Sequence, residues 1–140
     1  PALSSGTDVY ANTPTVSFYG SRFSSSYLDF VPVETETRDQ KPLQQMTAEQ
    51  RQLMSRLDPP GSIPFLALGN QYAAVGGGYP LDVLAGKDWL QISQALQDSS
   101  SRIARSVLGN ANYLTAGICR ITGGQPGAVC GAEPVQSIKL

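Results

Sequence analysis

Gly61-Ser62-Ile63-Pro64-Phe65-Leu66-Ala67-Leu68-Gly69-Asn70-Gln71-Tyr72-Ala73-Ala74-Val75-Gly76 is the stretch on which the fold turns. It reads as an apolar strand, a two-residue Gly-Asn turn, and a second strand that runs into glycines. Proline has no N–H to give to a ladder, so Pro64 fits only the first position of its strand. The Ile63-Pro64 bond is a candidate cis peptide, because X-Pro bonds are the ones in which the cis form costs little.

Upstream, Asp58-Pro59-Pro60-Gly61 stops a helix predicted over Ala48 to Leu57. Thr47 is its N-cap, Gln50 the capping-box partner three residues on, and Leu53, Met54 and Leu57 its short apolar stripe. Earlier, Thr15 to Tyr19 alternates with Val16 and Phe18 on one face and is predicted as a strand. Tyr27 to Glu34 is predicted as another, with Pro32 pushing it to a sheet edge or a bulge. Thr35 to Pro42 is a charged, exposed connector, and residues 1–14 are an extended, polar lead-in.

Downstream, Gly76-Gly77-Gly78 suits a bend or a place where backbone comes close to another surface. A phosphate cradle would need Gly-x-x-x-x-Gly-Lys-Ser/Thr, and no such pattern follows. Tyr79 to Leu84 is a short helix ended by Gly86. A further helix covers Asp88 to Leu96, where the recurrence of Trp89, Ile92 and Leu96 makes Trp89 a packing anchor. Ile103, Val107, Ala111, Leu114, Ile118 and Ile121 then draw the longest apolar stripe in the chain, capped from Asp98-Ser99-Ser100-Ser101 and stopped at Gly123-Gly124. Gly109 and Gly117 cost this helix about 1 kcal/mol each relative to alanine. Their small size would repay that where the helix lies close on a sheet. Residues 131–140 have no periodicity and read as a tail.

A length of 140 residues fits one domain, and an apolar fraction of 41% is lean for its core. Ten basic and eleven acidic residues nearly cancel, which argues against nucleic acid as a partner. The absence of histidine removes the usual general base and the commonest metal ligand, so histidine triads and most zinc sites are excluded, and no cofactor is implied. Few lysines and many small polar residues suit an extracytoplasmic setting. No apolar run reaches the roughly eighteen residues of a membrane span.

Cys119 and Cys130 are ten intervening residues apart, on either side of a Gly-Gly-Gln-Pro-Gly turn. A structural disulfide is the first reading, worth about 3 kcal/mol by loop closure. A redox-active pair and free buried thiols are the alternatives. Thioredoxin-type exchange requires thiols two residues apart at a helix start, whereas Cys119 falls near a helix end.

Several stretches resemble the DUF929 family of actinobacterial thioredoxin-like proteins. They are Phe18-Tyr19-Gly20, Tyr27-Leu28-Asp29-Phe30, Ser62-Ile63-Pro64-Phe65 with the Gly69-Asn70 turn, Ile103 to Asn112, Ala116-Gly117-Ile118-Cys119 and Thr122-Gly123-Gly124-Gln125-Pro126. The resemblance implies an α/β class: a partial thioredoxin-like fold with a mixed sheet of about four strands, a hairpin at 64–75 and a long C-terminal helix at about 100–122. The thioredoxin-like portion would cover 15–130. Pro64 would correspond to the cis-proline that faces the cysteine pair in such folds, and Ile63 would offer its backbone to an extended polypeptide substrate. Cys119 and Cys130 would match a second, structural pair. The family's first strand and Cys-x-x-Cys helix have no counterpart here, so no catalytic residue is expected in this chain. The sheet face left open would be covered by an N-terminal fragment of the same precursor or by a homo-oligomer partner.

The implied function is a portion of an extracytoplasmic, secreted or envelope-associated thiol-disulfide oxidoreductase whose nucleophile lies elsewhere. The alternative is a noncatalytic binding or structural protein of the cell envelope, with Tyr19, Tyr27, Tyr72, Tyr79 and Tyr113 as surface candidates. A hydrolase would draw on Asp29, Glu34, Asp82 and Asp88, which no spacing brings together.

Overall fold

A computed structural model of the chain describes residues 2–3 and 14–140. The protein is mixed α/β, with short antiparallel ladders and several helices, the longest near the C-terminus. The first ladder pairs β1 (Ala2–Leu3) with β2 (Pro14–Thr15). The rest of the lead-in, residues 1 and 4–13, lies outside the described residues.

The helix α1 (Ala48–Leu57) starts and stops where its sequence says it should. Thr47 Oγ1 accepts the Gln50 N–H at 3.2 Å and Gln50 Oε1 accepts the Thr47 N–H at 2.8 Å, the reciprocal capping box. At the other end Asp58, a buried carboxylate, accepts the Ser62 N–H and fixes the turn through Pro59-Pro60 into the hairpin. Arg56 donates to the Asn70 carbonyl at 3.3 Å and links α1 to the hairpin's turn.

The hairpin consists of β3 (Phe65–Leu68) and β4 (Tyr72–Val75), in register Phe65↔Val75 through Leu68↔Tyr72. Gly69 and Asn70 both take positive φ, 54° and 57°, the type I′ geometry, but Leu68 pairs with Tyr72, so Gln71 joins them in a three-residue loop instead of the two-residue turn expected. The Gln71 N–H donates to the Leu68 carbonyl at 3.1 Å, which closes the turn.

The centre of the core lies after the hairpin. Val83 and Leu84 on a 3-10 turn (Leu81–Leu84), Ile92 on α2 (Trp89–Gln97) and Ile103 on α3 (Arg102–Ile121) form one buried cluster, with Tyr79, Leu96 and Val107 around it. Asp88 caps α2 with its own capping box, and Ser101 caps α3 by accepting the Ala104 N–H at 2.9 Å. The N-terminal half of α3 thus packs on α2. Its C-terminal half packs on β3, where a Cβ at Gly117 would come within 2.6 Å of Leu68 Cδ1. At the end of α3 the Gly124 N–H reaches the Cys119 carbonyl at 2.8 Å, with Gly123 and Gly124 at positive φ, the glycine stop expected there.

Beyond α3 the chain turns through α4 (Gly127–Cys130) and a 3-10 turn at Val135–Ser137. Val135 is buried, and Leu140 reaches the same Gly117 surface that Leu68 covers. Residues 131–140 therefore fold back over α3.

Three expectations are corrected. The described residues form two separate two-stranded ladders instead of one mixed sheet of about four strands. The strands predicted at Thr15 to Tyr19 and Tyr27 to Glu34 are irregular beyond Thr15. Glu34 explains why: its carboxylate accepts from Ser17 Oγ at 2.7 Å and from the amides of Phe18 and Tyr19, so these donors turn to one side chain and not to a ladder. The connector after Glu34 is a short hairpin-like turn, with Thr37 N–H on the Lys41 carbonyl and Leu43 N–H on the Thr35 carbonyl. Trp89, finally, stands exposed at the first helical residue of α2, where no earlier turn exists for it to pack against.

Candidate functional site

The outer edge of β3 is the best-formed candidate site. The Gly76 N–H donates to the Pro64 carbonyl at 2.8 Å, which extends the ladder by one bond past Phe65↔Val75. In an antiparallel pair, hydrogen-bonded and non-bonded positions alternate. Leu66 and Leu68 then exchange bonds with Ala74 and Tyr72, while Phe65 and Ala67 turn their N–H and C=O groups away from β4. Among the described residues nothing pairs with those outward groups. Ile63, 82% exposed, and Pro64 stand at the start of this edge, and the Ile63-Pro64 peptide is cis.

The side chains divide accordingly. Leu66, Leu68, Tyr72 and Ala74 share one face by strand alternation, and Leu68 seats it on α3. Gly69 belongs to the same contact, since a Cβ there would lie 2.8 Å from Ile121 Cγ2. The helix thus covers the turn end of the hairpin and leaves the Pro64 end, about 13 Å away along the strand, uncovered by it.

Cys119 and Cys130 are joined as a disulfide, with Cα atoms 5.6 Å apart. The bond ties the last turn of α3 to α4. It sits near the turn end of the hairpin, so the structure does not bring it together with Ile63 and Pro64. With both sulfurs bonded to each other, neither is a thiolate nucleophile. A solvent-open hollow of about 310 Å³ lies beside the disulfide, lined by Ala116, Arg120, Val135 and Gln136 among others.

The four carboxylates stay apart, and three have structural work. Glu34 gathers the amides after Ser17, Asp82 pairs with Arg102 at 3.1 Å, and Asp88 caps α2, while Asp29 is exposed. Tyr19, Tyr27 and Tyr113 are exposed, whereas Tyr72 is half-buried and Tyr79 packs on the core.

One feature escaped the sequence reading. Phe18 and Phe23 both stand edge-on to Phe30, with ring centroids 5.5 and 5.9 Å apart. The signal was present in composition: Ser17 to Tyr27 is built from Ser, Tyr, Phe and Gly around a single Arg22, a mixture typical of recognition loops.

Comparison with protein-family models, with curated proteins and with solved structures finds no match to this chain.

Proposed function

We propose that this chain is the polypeptide-holding portion of an extracytoplasmic thioredoxin-like protein of the DUF929 type, and that an extended segment of its partner adds as a strand along the outer edge of β3, beginning beside Ile63 and Pro64. The observation that carries this reading is the pair of outward-facing backbone groups at Phe65 and Ala67, next to an exposed Ile63. Strand addition takes its affinity from such main-chain groups. The order of proline-led hairpin and long C-terminal helix, with Gly117 set against Leu68, supports the thioredoxin-like relation. The Cys119–Cys130 bond supports an oxidising compartment. Thiol-disulfide chemistry, on this reading, requires a Cys-x-x-Cys pair that this chain does not contain.

The second reading is a noncatalytic binding or structural protein of the cell envelope on the same scaffold. It is favoured by the state of the cysteines, both consumed in one bond that fastens α3 to α4.

Ala67→Pro tests the edge. Its N–H points away from β4, so proline there removes a donor that the hairpin does not use, as edge positions allow. Titration of the labelled protein with an S-carboxymethylated, unfolded polypeptide should shift the amides of Phe65 and Ala67 first. The Ala67→Pro variant should bind at least about tenfold more weakly, the order expected for one lost main-chain hydrogen bond plus the strand geometry it holds. Unchanged affinity, or shifts confined to the far face of α3, would refute the edge as the site. Insulin reduction by the chain alone should be nil, and turnover would overturn the assignment of the cysteines.

A further inference from the structure

The segment between β2 and α1 carries the largest run of exposed apolar side chains in the described residues. Val16, Phe18, Tyr19, Phe23, Tyr27 and Val31 are each 50–68% exposed. These residues are not a loose loop. The Glu34 carboxylate collects Ser17, Phe18 and Tyr19, the Glu34 and Gln44 backbones and side chain bond each other, and Phe18 and Phe23 flank the half-buried ring of Phe30. An ordered surface of this composition loses little side-chain freedom on docking, because an aromatic ring has only two torsions to fix.

Charge decides what it fits. From Val16 to Val31 there are two charged residues, Arg22 and Asp29, of opposite sign. Each is the chain neighbour of a ring in the cluster, Arg22 of Phe23 and Asp29 of Phe30. Both are exposed, and neither is ion-paired with another described residue. A patch with one charge of each sign is complementary to itself under a two-fold axis, since residue i then meets residue j and j meets i. Summed over the whole segment, half-exposed aromatic and aliphatic side chains in this number present on the order of 500 Å² of apolar surface, with the Phe18 and Phe23 rings both against Phe30 at its centre. That is about the apolar share of the roughly 800 Å² that each partner contributes to a standard interface.

We propose that residues 16–31 form an isologous homodimer interface, in which the Phe18-Phe23-Phe30 cluster of one copy packs on that of a second copy and Arg22 pairs with Asp29 across the axis. The proposal does not depend on the β3 edge, which belongs to a different segment.

Light scattering coupled to size exclusion, over about 1 to 200 μM, tests it with charge reversals. The wild-type chain should be a dimer at the upper end. Arg22→Asp and Asp29→Arg each place two like-charge contacts in the interface, so each should weaken dimerisation by roughly tenfold or more. An equimolar mixture of the two variants restores both pairs and should recover dimers, and the doubly reversed R22D/D29R chain should do the same. Far-UV circular dichroism of each variant should match wild type, since the segment holds no helix. A wild-type chain that stays monomeric throughout would overturn the proposal in favour of a foreign partner for this surface. Dimers that survive either single reversal, or that the mixture fails to restore, would overturn the Arg22–Asp29 pairing.

Discussion

Gly69 is required twice, once by its φ of 54° and once by Ile121, whose Cγ2 and Cβ stand where a side chain would go. The left-handed conformation costs an L-residue roughly 1–2 kcal/mol and overpacking adds about 1–3. Gly69→Ala should therefore lower the unfolding free energy by about 2–5 kcal/mol in urea denaturation. The two glycines inside α3 should behave differently from it and from each other. A Cβ at Gly109 meets open space, so Gly109→Ala should gain about 1 kcal/mol of helix propensity. At Gly117 the obstacle is the methyl end of Leu68, which can rotate away, so alanine should come out near neutral and Gly117→Val should cost about 1–3 kcal/mol. Stabilisation by Gly117→Val would mean that α3 does not rest on β3. The sequence named both helix glycines as breaks in propensity, and the close-packing role was legible as an option. Only the contact with Leu68 separates the one that packs from the one that does not.

Asp98 offers a test by pH at the same scale. Its carboxylate is held below the usual value by the Ser100 hydroxyl first and the Ser100 amide second, at 2.7 and 2.9 Å. A depressed folded value means that its contribution is complete above the unfolded value of about 4 and fades as the pH falls through the lower folded one. Glu49, lowered by its own amide and the Thr47 hydroxyl, follows the same sign. Ser100→Ala should raise the Asp98 midpoint in a carboxyl NMR titration toward the ordinary value. A midpoint that does not move would assign the depression elsewhere.

Among the elements, the helices were the most legible. Capping residues and glycine stops act within four residues, so Thr47 with Gln50, Asp98 to Ser101, and Gly123-Gly124 announce their helix ends locally. The hairpin was legible for the same reason, through Pro64 and the Gly69-Asn70 turn. The failures lie where a distant side chain wins. Val16 and Phe18 alternate as a strand would, but Glu34, about sixteen residues away, takes the amide of Phe18, and no local pattern encodes that. The apolar stripe of α3 was right at Ile103 and wrong at Ala111, which is exposed, because the helix changes partners along its length and buries Ala116 toward the tail. The disulfide belongs to this scale too. With Cys119 and Cys130 eleven positions apart, replacing both by alanine should cost about 3 kcal/mol by loop closure. Amide exchange in Gly127–Cys130 and Val135–Ser137 should accelerate while Ile92 and Ile103 stay protected. Equal acceleration in all four places would make the bond part of a single cooperative core.

At the scale of the molecule, the core is small and displaced from the hairpin. Val83, Leu84, Ile92 and Ile103 cluster between α2 and α3, and the hairpin is attached through the Leu68–Gly117 and Gly69–Ile121 contacts at its turn end. The consequence for function is a strand, beginning beside Ile63 and Pro64, in which Phe65 and Ala67 turn their backbone groups outward with nothing on them among the described residues. Composition gave no direct sign of that edge, since whether a strand is central or peripheral depends on pairings made by the whole chain. The proline at its start was the one clue, being tolerated there and at few other places in a sheet.

Residue-resolved amide hydrogen exchange on the intact chain, without any added polypeptide, tests the open edge most directly. The account predicts slow exchange at Leu66 and Ala74, whose N–H groups lie inside the ladder, and fast exchange at Phe65 and Ala67. Protection of Phe65 and Ala67 equal to that of their neighbours would show the edge already occupied and would contradict the proposed site.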